Sequence, residues 1–324
     1  MPGQTRPIQE PTRRCVSVKQ VNTQHSRTAR RFSTAARHPV LFVLGALGCF
    51  VAVGWTYWAF VRTTTGQFAD ESAWAEAGIA APDTQVPFLR FLDSLPLISV
   101  FIAAAVILFV TLGRRRWAAA GIALGTIIGA NLTTQILKNV LFDRPDRGVP
   151  TLDFNSLPSG HTTLAASAAA AIFLVVSPRW RPLAAAAGGT YSVLAGAATF
   201  INLWHRPADV VAAYLVVGAW TLIGGLLILR SGNRWNVWEG FGRFWGASRA
   251  WLALCWVPGL LGLALSLGLY VYVQAIGPAP VPGTAGVPLF FWSGLSLIVG
   301  VGYTLSATAC WLFGSQARLQ GAAS

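Results

Sequence analysis

Charge is the scarcest property of this sequence. Of 324 residues, 11% are Asp, Glu, Lys or Arg, less than half the roughly 25% of an average soluble domain. With 54% hydrophobic residues, this composition excludes a soluble globular fold and points to a membrane protein. Lysine is nearly missing, with Lys19 and Lys138 alone. Cysteine is sparse too: Cys15 lies in a basic stretch, while Cys49, Cys255 and Cys310 lie inside apolar segments, so no disulfide framework is indicated. No cluster of metal-ligating residues is visible. Histidine numbers four, and where the histidines and lysines fall therefore carries information.

What is abundant is long apolar sequence. Runs of the length that crosses a bilayer, about 20 residues, are read at 39–61, 96–113, 117–138, 162–178, 183–203, 209–229, 251–275 and 289–313. The fold class expected is all-α: a polytopic transmembrane helix bundle of about eight spans. The first 38 residues are polar and basic and the first apolar run is too long for a signal h-region, so 39–61 is expected to stay as an anchor. The net charge of +13 is a matter of topology and not of nucleic acid. Arg and Lys gather before the first span and in every second connection after it, 18 of the 24 on one side. The positive-inside rule assigns that side to the cytoplasm, which puts both termini there. Asp70, Glu71, Glu76, Asp143, Asp146, Asp153 and Asp209 fall on the opposite, extracytoplasmic side.

Five regions follow. Residues 1–38 read as a disordered basic tail, 39–230 as a six-span core, and 231–250 as an aromatic interfacial segment carrying Trp235, Trp238, Phe241, Phe244 and Trp245. Residues 251–313 form two additional spans without a charged residue, and 314–324 a second cytoplasmic tail. The outer connection 63–95 reads as short helices lying at headgroup level.

Three short motifs stand at the outer ends of spans. In Pro158-Ser159-Gly160-His161, proline disfavours helix before itself, serine caps a helix, and glycine admits close backbone approach. The outcome is a helix N-terminus whose free N–H groups suit an anion, with His161 in its first turn placed to exchange a proton with a phosphoester. His205 and Asp209, four residues apart, share a face if the helix begins near His205, and Pro207 suits such a first turn. A carboxylate on one ring nitrogen leaves the other as a nucleophile. Lys138 and Arg144 can converge on one phosphate only if the chain turns between them. Taken singly, each motif also has a structural reading: a capped helix, a capping pair, an interfacial lysine.

In order, the three motifs resemble the type-2 phosphatidic acid phosphatase and vanadium haloperoxidase superfamily, whose signature is Lys-x6-Arg-Pro, Pro-Ser-Gly-His and Ser-Arg-x5-His-x3-Asp. The resemblance covers residues 39–229. It implies a six-helix phosphatase core, His205 as the nucleophile that becomes a phosphohistidine, Asp209 as its orienting partner and His161 as the acid for the leaving group. Lys138, Arg144, Ser159 and the Gly160 backbone take the roles of phosphate ligands, with no metal or other cofactor. Two departures stand out: five residues separate Lys138 from Arg144, and the third motif's Ser-Arg falls on Ala198-Thr199. Arg206 or Arg147 is the candidate replacement for the absent arginine. The expected function is a membrane phosphatase acting on a lipid phosphate or diphosphate monoester from the extracytoplasmic face, with membrane lipids as its surroundings and no nucleic-acid partner. The sequence does not choose the lipid or the oligomeric state. The alternatives are a non-catalytic lipid-phosphate binding or transport protein with an altered third motif, and a vanadate-dependent haloperoxidase.

Overall fold

The computed structural model describes residues 39–80, 101–109, 111–113, 115–150, 154–231, 244–276 and 287–316, together with Gly3 and Ile98. The expectations for the basic tail, for residues 81–95 of the outer connection, for most of the aromatic segment and for residues 317–324 of the second tail therefore lie outside the described residues. Nine helices are described: α1 (Pro39–Val61), α2 (Thr64–Ala80), α3 (Phe101–Gly113), α4 (Trp117–Ile136), α5 (Gly160–Val175), α6 (Arg181–Ile201), α7 (Pro207–Ser231), α8 (Arg249–Ile276) and α9 (Leu289–Gln316). No strand occurs among the described residues, and the protein is a polytopic helical bundle.

Each of the eight apolar segments read from the sequence overlaps a described helix. Six are long and apolar enough to cross a membrane: α1, α4 with the turn that follows it, α6, α7, α8 and α9. α5 is shorter, with 16 residues, a rise of about 24 Å at 1.5 Å per residue.

α7 is the central helix. Within its most apolar window 67% of residues are buried inside the protein, against 22% for α8. Small side chains make this possible: Ala208, Ala212, Ala213, Ala219, Gly224 and Gly225 are all buried on α7, and α1, α4, α5 and α9 pack around it. α8 and α9 meet at a crossing where a Cβ on Gly262 would lie 2.8 Å from Gly300 N. Direct backbone contact at glycine is the usual device for close helix pairs in lipid. α9 also packs along α6, α7 and α2. Just before α6, Trp180 packs edge-on to Phe244 and Trp245, at 4.7 and 5.4 Å between ring centroids.

Of the 63–95 connection, expected as short helices at headgroup level, residues 63–80 are described. α2 is one continuous helix of 17 residues, and Gln67, Asp70, Glu71, Ser72 and Glu76 are all buried. Buried acids need partners, and distant parts of the chain supply them. Glu76 Oε2 accepts Phe291 N–H at 2.9 Å, Asp70 Oδ1 accepts Ala208 N–H at 3.0 Å, and Glu71 meets two arginines. These bonds draw α2 into the bundle beside α1, α6, α7 and α9.

Candidate active site

The third motif begins where α6 ends. Leu203 adopts φ +62°, a left-handed conformation rare for a branched side chain, and its carbonyl accepts the Trp74 indole N–H at 3.0 Å. The reversal lets Trp204 N and His205 N both donate to Thr199 O, at 3.0 and 3.1 Å. α7 begins two residues after His205, at Pro207, so His205 precedes the helix instead of standing in its first turn. The i,i+4 contact forms nonetheless: His205 Nδ1 lies 3.1 Å from Asp209 Oδ2, which also accepts Arg206 N–H at 3.1 Å. With Nδ1 engaged, Nε2 is the nitrogen left for chemistry. His205 is 7% exposed and Asp209 fully buried.

The second motif lies against the first turn of α7. Ser159 N–H donates to Asp209 O at 2.9 Å, and Ser159 Oγ accepts Thr162 N–H at 3.3 Å, capping α5 as its sequence predicts. His161 follows on the exposed side of this turn, its ring 6.2 Å from that of His205 and 5.1 Å from Trp204. The Gly160 backbone starts the same helix. One imidazole backed by a carboxylate, a second imidazole facing it and a helix N-terminus beneath are thus brought together.

The first motif turns as required. After α4 the chain makes a π-helical turn over Leu137–Leu141 and becomes extended at Phe142. Lys138 sits in this wide turn, and its carbonyl accepts Asn155 Nδ2 at 3.3 Å, which ties it to the strand of chain leading to Ser159. The loop after it is clamped to α1 and α2. Asp143 bonds Tyr57 and pairs with Arg62 at 2.8 Å, and Gln67 Nε2 donates to Pro145 O at 2.9 Å. Between these clamps the Arg144 side chain is fully buried. Its Nη2 donates to Glu71 Oε1 at 2.8 Å, while Nε and Nη1 are buried with no hydrogen-bond partner.

Glu71 is the residue that sequence reasoning did not single out. The same Oε1 that takes Arg144 accepts Arg206 Nε at 2.5 Å, and Arg206 Nη1 reaches Ser156 Oγ at 2.9 Å. The Arg206 side chain is 3% exposed, and the residue's backbone N–H is bonded to Asp209. Arg147 is exposed. Where the resemblance places an arginine, Thr199 is buried and donates its hydroxyl to Gly196 O at 2.8 Å, with Thr162 Oγ1 3.3 Å away. A pair of hydroxyls therefore stands at that point. No group of three or more His, Cys, Asp or Glu able to hold a metal is found among the described residues.

No curated protein and no solved structure matches this chain. Residues 118–235, from the start of α4 to just past α7, do match the sequence profile of the PAP2 superfamily, and all three motifs lie inside that stretch. Over this stretch, which holds the dyad, the capped α5 and the buried Arg144, the chain is similar to the PAP2 superfamily.

Proposed function

We propose that the protein is an integral membrane phosphatase that hydrolyses a lipid phosphate or diphosphate monoester at the extracytoplasmic face through a phosphohistidine at His205. The observation that carries this reading is the His205–Asp209 contact at 3.1 Å with the His161 ring 6.2 Å away. In the first step His205 Nε2 attacks phosphorus, the bond to the leaving oxygen breaks, and His161 gives that oxygen a proton. In the second, neutral His161 takes a proton from water, the water oxygen attacks phosphorus, and the N–P bond breaks to release inorganic phosphate. Lys138, Arg144 Nε and Nη1, Ser159 and the Gly160 N–H are the phosphate ligands. Arg206 adds positive potential from within its bonds to Glu71 and Ser156. Charge placed where the transferring phosphoryl group develops it is the main contribution a protein makes to this chemistry.

A lipid substrate is supported by what lies along α5. At Ala168 and Ala169, seven and eight residues beyond His161, that helix lines an apolar cavity of about 310 Å³ shared with Ile102 of α3 and Gly188 of α6. An alkyl or prenyl chain fits such a lining. Purified protein in mixed micelles is expected to release phosphate from phosphatidic acid, phosphatidylglycerol phosphate or a polyprenyl diphosphate, at the same rate with and without a chelator. Loss of release on chelation removes the proposed metal-independent route. Binding of lipid phosphate with no release supports instead the non-catalytic reading, which the hydroxyl pair at Thr199 favours.

The side of the membrane is tested separately. In a variant lacking Cys15, cysteines introduced at Asp153 and Gly283 are expected to react with an impermeant thiol reagent in intact cells, and one at Arg116 is not. Labelling at position 116 alone moves the site to the cytoplasm.

A further inference from the structure

Asp70 stands next to Glu71 on α2 and is 2% exposed. Its Oδ1 accepts Ala208 N–H at 3.0 Å, capping from another helix an N–H that the first turn of α7 cannot satisfy itself. Its Oδ2 is buried with no hydrogen-bond partner. The charged groups that face it are Asp209 on α7, Arg206 just before α7 and Arg144 in the loop after α4, and both arginines already hold Glu71. Two carboxyls thus share one buried niche behind His205. Asp209 receives donors from His205 and Arg206 and is the natural anion of the two. Burial, and then the Asp209 charge, push Asp70 up to about 7.

We propose that Asp70 is a positioning residue of the His205–Asp209 dyad: as a neutral acid it caps α7 from α2 and leaves Asp209 as the carboxylate that holds His205, and as an anion it sets a second carboxylate against Asp209 and strains that hold. α2 lies outside the stretch that matches the PAP2 profile. The inference rests on His205 being the nucleophile.

The test is the pH dependence of kcat/KM for Asp70→Asn and Asp70→Ser, both neutral and both able to accept the Ala208 N–H. Removing the second charge is expected to move the upper limb of the profile, on which the parent's Asp70 becomes ionised, up by about half to one pH unit. A uniform loss of activity with the limb unmoved would mean a purely structural cap and overturns the proposal. A second reading needs no turnover. A carboxyl raised in the folded protein contributes stability that is full below the unfolded value, near 3.9, and is lost as pH rises through about 7. The Tm of Asp70→Asn relative to the parent is therefore expected to climb between pH 4 and 7. A Tm difference that stays flat across this window also overturns the proposal. If the parent releases no phosphate while the Tm difference climbs, the phosphatase reading fails and the buried proton stands.

Discussion

His205→Ala is expected to lower turnover by about four orders of magnitude or more, the scale seen when a covalent nucleophile is removed, and to abolish any trapped phosphoenzyme. The parent, quenched during turnover of a radiolabelled lipid phosphate, should carry a label that survives alkali and is lost in acid, as a phosphorus–nitrogen bond requires. The variant should carry none. The reason lies in the geometry: with Nδ1 held by Asp209, His205 offers one nitrogen, Nε2, to phosphorus. A His205→Ala protein that retains turnover within tenfold of the parent would remove His205 as nucleophile and leave the dyad a structural cap of α7.

The second large effect is on stability. Glu71 Oε1 is shared by Arg144 and Arg206, whose side chains are 0% and 3% exposed. Removing one member of a buried ionic cluster costs about 3–5 kcal/mol, because the remaining charge is left desolvated and uncompensated. Glu71→Ala is expected to lose that much, read as a lower unfolding midpoint in detergent. Glu71→Gln, which keeps the shape and an acceptor but not the charge, should lose less. Inorganic phosphate should stabilise Glu71→Ala more than the parent, since an anion can then take the carboxylate's place between the two guanidiniums. A loss under about 1 kcal/mol in Glu71→Ala would show that the arginines find other partners and that Glu71 is not what holds them.

The dyad was legible because its signal is local. His205 and Asp209 are four residues apart, Pro207 marks a helix start between them, and no information from elsewhere is needed to bring them together. Ser159 as the cap of α5 was legible for the same reason. Glu71 was not, because its partners lie 73 and 135 residues away. In a stretch that also holds Gln67, Asp70 and Glu76, an acid between spans reads as a solvated one. Its burial becomes visible only when Arg144, Arg206 and the N–H groups of Ala208 and Phe291 are seen to converge on α2. The bend between Lys138 and Arg144 was foreseen as a necessity of spacing, but its form, a π-helical turn, leaves no mark in the residues Leu137 to Leu141. A helix start near His205 was expected, and α7 opens at Pro207, while the positive φ of Leu203 before it has no glycine to announce it.

The last helix carries no acid, base or cation of its own between Leu289 and Gln316, yet it limits what the site can tolerate. A Cβ on Gly294 would stand 2.5 Å from Pro207 Cγ and 3.4 Å from Ala73 Cβ, against the residue that opens α7 and against the helix that carries Asp70 and Glu71. The absence of a side chain at position 294 is thus a steric requirement of the site's surroundings, because a Cβ added there presses on Pro207, two residues before Asp209. Among homologues, such a glycine would pass for part of the chemistry while its only contribution is to take up no room.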